Sequence, residues 1–385
     1  MTSSTVTLER LEQLAEKIGL QEIGVTDASP FPELIPWLEA YEQRGRTGFE
    51  ASDIEQRINP KLWMPGANSI IVATLPYLTE EGISTARSHP RGRQHGQASC
   101  YTYGVDYHTV LSRLLHELHK AMEAEVGHSI DAKLSVDTSP LVDRRMAERA
   151  GLGWIGKNSM FYSDRYGSFV FLGAMLVDIA IDVPRAVKPL IGYKCGTCNL
   201  CLTACPTGAI IAPGVIDATR CLSYITQMKG VIPSEFRTKL GRRVWGCDVC
   251  QWACPENRNV DRSRLSVFGP TSELAYPDLL EILHLSNRQF TRLYGHTSMA
   301  WRGLRTLQRN ALIALGNAGN QGAVPDIATF LQHNRVELRI SAAWALGQIG
   351  GQAAYEALKT ALDKEEDEAV IEELRNGVSA CYGRR

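Results

Sequence analysis

Seven cysteines in two short runs place the strongest limit on this chain: Cys195-x-x-Cys198-x-x-Cys201-x-x-x-Cys205-Pro206 and Cys247-x-x-Cys250-x-x-x-Cys254-Pro255. An eighth, Cys221, lies between them, and of the ten only Cys100 and Cys381 stand apart. Thiolates at every third residue of a short loop can reach three irons of one cubane, and the fourth ligand then comes from elsewhere in the chain. In two-cluster ferredoxins the cysteine before the proline of each run crosses to the other cluster. By that rule cluster one takes Cys195, Cys198, Cys201 and Cys254. The second run lacks a first cysteine, so cluster two takes Cys205, Cys247, Cys250 and the outlying Cys221. Two 4Fe-4S clusters thus use eight thiolates with none left over. Zinc competes for C-x-x-C pairs, but zinc sites seldom use the longer run that ends in Cys-Pro. Disulfides suit neither the chain length nor such close spacing.

At 385 residues the chain has room for two or three domains and a substantial core. Lys+Arg 41 against Asp+Glu 42 excludes a uniformly basic nucleic-acid-binding surface but leaves local basic patches open. The start, MTSSTVTLERLEQLAEKIGL, has no apolar signal core and no twin arginine, and no later stretch has the character of a membrane span. The expectation is a soluble, cytoplasmic protein with no membrane partner, in a compartment whose reducing conditions preserve iron–sulfur thiolates.

Leu8, Leu11, Leu14, Ala15 and Ile18 recur at helical spacing and stop at Gly19. Strand candidates lie at 22–26, 68–77, 130–136 and 169–181, with helical stretches at about 34–43, 106–126 and 140–150. This alternation predicts an α/β (α+β) domain over residues 1–185. A two-cluster ferredoxin-like module follows over 186–265, entered through the proline-bearing IDVPRAVKPL. In the remaining 266–385, ALIALGNAG at 311–319 recurs as AAWALGQIG at 342–350, and Phe330-Leu331 recurs as Ala361-Leu362, both at an offset of 31. Ala/Leu-rich units with glycine breaks at that period predict α-helical HEAT-like repeats. About two copies are too few for a free-standing array, so they are expected to pack on the rest of the chain.

Cubane clusters move single electrons, so another part of the chain must receive them. The front domain has no GxGxxG fingerprint at a strand–helix turn and no P-loop, so neither a Rossmann dinucleotide site nor an ATP site is supported. It has instead SCYTYGVDYH at 99–108 and VDTSPLVDRRMAERAGLGWIGKN at 136–158, and the cysteine module carries GRRVWGCDVCQWACPEN at 241–257. In VDTSPLVDR, AGLGWIGKN, the asymmetric cysteine set with CLSY at 221–224, and the terminal repeats, the chain resembles the epoxyqueuosine reductases. These are cobalamin and iron–sulfur enzymes that perform the last step of queuosine synthesis in tRNA. The resemblance covers essentially the whole chain. Its cobalamin fold is shared with reductive dehalogenases, so the fold alone does not separate the two functions.

The resemblance implies a two-electron reduction of an epoxide to an alkene at the tRNA wobble position, with the oxygen leaving as water and base-off cobalamin as cofactor. A low-potential donor such as flavodoxin or ferredoxin would feed the clusters of a monomeric enzyme. An opening epoxide needs an acid, since an alkoxide leaves poorly without a proton. The family's donor falls on Asp137, where an apolar surround would favour the neutral acid. The competing reading of Asp137 is a cap for the helix at 140–150, and Asp143 is the rival acid. Carried over as cobalamin contacts are Arg57, Cys100, Asp137, Lys157, Ser223 and Asp248. His108 lacks the DxHxxG context of an axial cobalt ligand. The basic positions expected to meet tRNA are Arg87, Arg91 and Arg93 in one loop, Arg237, Lys239, Arg242 and Arg243 near the clusters, and Arg302, Arg305 and Arg309 entering the repeats. The alternatives are a reductive dehalogenase-like enzyme acting on a small substrate, and a non-catalytic electron-transfer or binding protein.

Overall fold

The computed structural model of the protein describes residues 6–88, 92, 94–181 and 191–382. Arg91, Arg93 and most of the IDVPRAVKPL stretch lie outside the described residues. The chain divides into two compact units: one comprises Met1–Glu80, Val105–Thr219 and Val249–Ser266, the other Glu81–Gly104, Arg220–Asp248 and Val267–Arg385. The cysteine segment therefore contributes to both.

The first unit is built on a four-stranded sheet in the order Glu22–Asp27, Ser69–Pro76, Val170–Val177, Ala132–Ser135, with every neighbour antiparallel. Side chains alternate between faces, so each strand serves two helical layers. Ile70, Val72, Ala174 and Leu176 pack with Met146 and Ala147 of the Asp143–Arg149 helix. On the opposite face the Tyr107–Val126 helix rests against Gly173, where an added Cβ would come within 2.8 Å of Leu111. That absent side chain is what allows the helix to lie close. The Ser69–Pro76 strand is buried at every position, which suits its four consecutive apolar residues, Ile70, Ile71, Val72 and Ala73. The Leu8–Ile18 helix starts at the Thr7 side chain and ends where Gly19 turns left-handed at φ 90°.

In the second unit Gln97–Ala98 pairs in parallel with Arg243–Trp245. The rest is helical: Leu222–Gln227 and Ser234–Leu240, then the repeat helices Leu304–Ala318, Val324–Thr329, Val336–Ile349, Gln352–Leu362 and Glu368–Tyr382. One apolar core runs through all of them, from Leu222 and Ile225 to Leu358 and Leu374. The 31-residue offset has a packing counterpart. Gly316 and Gly347 are repeat equivalents, and a Cβ on either would come within 2.8 Å of Ala345 Cα and 2.7 Å of Gly377 Cα, respectively. Among the described residues no helix is long and apolar enough to cross a membrane.

Candidate active site and cluster-binding segments

At one end of the sheet two helix starts and one strand end bring three polar side chains together. Asp137 follows the Ala132–Ser135 strand with φ at +56°, a left-handed conformation that only Asp137 and Ser159 adopt among described non-glycine residues. Such a backbone costs roughly 1–2 kcal/mol and is typically retained where function over-determines it. Tyr107, the first residue of its helix, donates its phenol hydrogen to Asp137 Oδ2 at 2.9 Å. The Tyr107 ring stacks on Phe171 at 4.2 Å and on His108 at 4.1 Å. His108 Nδ1 is itself bonded to Asp106 Oδ1 at 2.7 Å, which raises the imidazole pKa.

Asp143 begins the other helix. Its Oδ1 is enclosed and has no hydrogen-bond partner among the described residues. Loss of solvation, then the charge of Asp137, push this carboxyl from 3.8 up to about 7, although the Arg144 charge opposes the change. Enclosure was expected at Asp137, but that side chain is exposed, and the enclosed carboxyl is Asp143. Nor does Asp137 cap a helix: the helix starts at Asp143 after Val142. Arg144 anchors the loop by donating to the Ser159 carbonyl oxygen.

None of the ten cysteines is joined in a disulfide. Cys195, Cys198, Cys201 and Cys254 belong to the first unit. Burial and then the neighbouring Cys195 and Cys254 charges push the Cys201 thiol up, and the Cys254 thiol is raised mainly by burial, with Cys195 adding to it. Lys157 spans the loop between these ligands, with Nζ donating to Gly196 O at 2.7 Å, Cys198 O at 2.9 Å and Asn199 Oδ1 at 3.2 Å. The Cys250–Cys254 segment is held by a buried trio: Ser168 Oγ donates to Gln251 Oε1, while Asn257 Nδ2 donates to Ser168 Oγ and to Gln251 O, all within 2.9 Å. Cys205 Sγ accepts the Ala209 N–H at 3.3 Å.

Cys221 and Cys247 belong to the second unit, and one pair of buried side chains steadies both of their segments. Cys221 caps the Leu222–Gln227 helix, at whose far end Arg309 donates to Met228 O and Gly230 O at 2.7 Å and to Ile225 O at 3.2 Å. Asn310 Nδ2 bridges Thr226 O and Val244 O, both at 2.7 Å, and Val244 stands three residues before Cys247. Among the described residues no group of three or more Cys, His, Asp or Glu side chains is arranged to hold a single metal ion. The ligand sets therefore rest on spacing and donor chemistry.

The family model for the 4Fe-4S double cluster binding domain matches residues 194–257, that for epoxyqueuosine reductase QueG matches 57–138, and that for HEAT repeats matches 305–377. Epoxyqueuosine reductase of Bacillus cereus is 40% identical over 366 residues, 94% of either chain. The chain belongs to the epoxyqueuosine reductase family. Epoxyqueuosine reductase of Bacillus subtilis strain 168 is likewise 40% identical, over 96% of this chain and 95% of its own. A crystal structure of an epoxyqueuosine reductase with an epoxyqueuosine-modified tRNA stem loop superposes with a TM-score of 0.90 at 39% identity, covering 97% of this chain and 98% of that one. The Streptococcus thermophilus enzyme gives 0.86 at 34%, over 98% of each.

The remaining residues expected from the epoxyqueuosine reductases fall into two kinds. Arg57 is half-buried, and among the described residues its guanidinium makes no hydrogen bond or ion pair, lying only near the Tyr41 ring at 6.0 Å. It is equipped to meet an anionic or carbonyl group. Asp248, by contrast, is 8% exposed with both oxygens engaged, Oδ1 by Ser99 Oγ at 2.6 Å and Oδ2 by the Cys100 N–H at 2.7 Å. It fixes the turn bearing the buried Cys100. Lys157 is engaged by the cluster-one loop in the same way, so both of these side chains already have protein partners. Ser223 is half-buried, its carbonyl and hydroxyl oxygens accepting from Gln227 Nε2. Two arginines assigned to tRNA are interior instead: Arg237 pairs with Glu373 at 2.7 Å, and Arg309 supports the Cys221 helix. Arg87, Lys239 and Arg305 are exposed. Tyr107 was not singled out, although its place in GVDYH, just after a helix-capping aspartate, marked it as the first residue of a helix.

Proposed function

We infer that this chain reduces the epoxide of epoxyqueuosine at the tRNA wobble position to the alkene of queuosine. It is an oxidoreductase using cobalamin and two 4Fe-4S clusters. The observation that carries this reading is full-length similarity to epoxyqueuosine reductases, with the VDTSPLVDR loop held in strained geometry at the sheet end. The reaction takes up two electrons and two protons and releases the oxygen as water. Cobalamin, when bound, would supply the strongly reducing centre, and the two clusters would supply one-electron carriers.

The chain's own residues manage protons and position. We propose Asp137 as the acid that protonates the departing oxygen: Tyr107 occupies Oδ2 and leaves Oδ1 for a proton directed at substrate. Asp143 supports a second reading of the acid, since a carboxyl raised to about 7 keeps its proton on a substantial fraction of molecules near neutral pH, where an ordinary aspartate has lost it. Arg57, with its guanidinium uncommitted, is the proposed contact for a corrin amide or the nucleotide-loop phosphate. Cys100 and Ser223 are proposed as further cofactor contacts, with Asp248 acting through the Cys100 turn. Cluster one is assigned Cys195, Cys198, Cys201 and Cys254, and cluster two Cys205, Cys221, Cys247 and Cys250. Since all eight come from one chain, a monomer suffices. A cytoplasmic tRNA and a low-potential donor such as flavodoxin or ferredoxin complete the reading.

The test is anaerobic reconstitution with iron, sulfide and cobalamin, then reduction of tRNA carrying epoxyqueuosine, followed by mass spectrometry. Loss of one oxygen from the nucleoside is expected. Unchanged substrate, with corrin and both clusters demonstrably bound, would overturn the reading.

A further inference from the structure

Between Glu281 and Asp326 the chain contains no acidic residue, yet it carries Arg288, Arg292, Arg302, Arg305 and Arg309. Arg309 is buried, whereas Arg288, Arg292 and Arg305 are exposed and Arg302 is half-exposed. The segment thus presents cations on the surface of the second unit with no carboxylate of its own to neutralise them. In the middle stands Trp301, 53% exposed despite being among the most apolar of side chains. The indole is held in place: Nε1 donates to Gln227 Oε1 at 3.0 Å, and the Arg302 guanidinium lies over the ring at 3.6 Å. Gln227 in turn donates to the Ser223 carbonyl oxygen at 2.9 Å. One side chain therefore connects the exposed ring to the CLSY segment that the proposed function assigns to the cofactor.

An exposed indole with a flat cation upon it, among phosphate-binding charges, is the combination that nucleic-acid surfaces use to stack bases and track a backbone. We propose that Trp301 is a stacking platform for a nucleobase of the tRNA anticodon loop next to the wobble position, with Arg288, Arg292 and Arg305 neutralising adjacent phosphates. This rests on the tRNA reading above and adds the surface that receives the RNA. An unstacked wobble base leaves its neighbour without a stacking partner, and the indole replaces it.

The experiment is fluorescence anisotropy of a labelled anticodon stem-loop RNA binding to the reconstituted full-length protein across a salt series. Trp301→Ala is expected to weaken binding roughly 5- to 150-fold with the salt slope unchanged, and Trp301→Phe to restore most of it. Arg305→Ala is expected to lower the slope of log affinity against log salt by about 0.7–0.9. Unchanged affinity in Trp301→Ala overturns the proposal, as does a Trp301→Phe variant as weak as the alanine one. If Trp301→Ala binds RNA normally but accepts electrons slowly from flavodoxin, the surface belongs to an acidic protein partner and the proposal falls. Failure of the unsubstituted protein to bind the stem-loop would instead remove the tRNA reading itself.

Discussion

Asn310 is fully buried, and replacing it with alanine should damage one half of the cysteine module while sparing the other. Its Nδ2 satisfies Thr226 O and Val244 O, and its Oδ1 accepts from Arg309 Nε at 3.1 Å and Nη2 at 3.0 Å. Alanine leaves the Val244 carbonyl without that donor, leaves Thr226 O with only the longer 3.3 Å contact from Arg309, and removes an acceptor from a buried guanidinium. Each orphaned buried group costs about 1–3 kcal/mol, so the expected loss is about 2–5 kcal/mol. Against a typical total stability of about 5–15 kcal/mol that is a large fraction. The damage is local in sequence, because Thr226 lies near the end of the helix that Cys221 starts and Val244 lies in the strand leading to Cys247. Electron paramagnetic resonance and iron analysis of the reduced, reconstituted variant should show loss of the cluster-two signal with cluster one retained. Equal loss of both signals, or a thermal midpoint and iron content matching the unsubstituted protein, would refute the reasoning.

Three further outcomes are expected. For Asp143→Asn, the sign follows from a carboxyl raised from 3.8 to about 7: ionising it in the folded state costs stability, so the unsubstituted protein loses stability as pH rises through that window. The variant should gain in relative thermal midpoint between pH 4 and 8, with a ceiling of about 4 kcal/mol, and a difference independent of pH would count against the enclosed-acid account. Asp137→Asn should lower turnover by roughly 10²- to 10⁴-fold while cobalamin absorbance is retained, and undiminished turnover would remove Asp137 as the acid. Cys221→Ala should abolish the cluster-two signal selectively, which spectra of the reduced protein can check against an equal loss of both.

The cysteine spacing, the sheet strands and the repeat period were legible because each is a local pattern. The candidates at 68–77 and 169–181 became Ser69–Pro76 and Val170–Val177. The hairpin of Gly153–Ile155 and Phe161–Ser163 was missed, since GLGWIGKN reads as a glycine-rich loop and its strands are only three residues long. Burial of charge was the other failure. Arg237 and Arg309 look in sequence like any surface arginine, and nothing local says that Arg309 meets carbonyls some eighty residues away. Asp137 and Asp143 were legible as rivals, but which of them is enclosed depends on helices from distant parts of the chain.

The Leu304–Ala318 helix carries two duties that its sequence keeps apart by position. Trp301, Arg302 and Arg305 precede or open it and are wholly or partly exposed, whereas Arg309 and Asn310 occupy its buried middle and support the Cys221 and Cys247 segments. Removing the repeats would therefore strip the second unit of the helix that completes its core, together with any RNA-binding surface. Weakened RNA binding after such a deletion would not show that the repeats touch RNA, because loss of the cluster-bearing segments predicts the same result. Point substitutions separate the two duties: a change at Trp301 or Arg305 should alter RNA affinity while leaving iron content intact, whereas a change at Asn310 should lower iron content first. The order in which those two signals fail identifies the duty that has been broken.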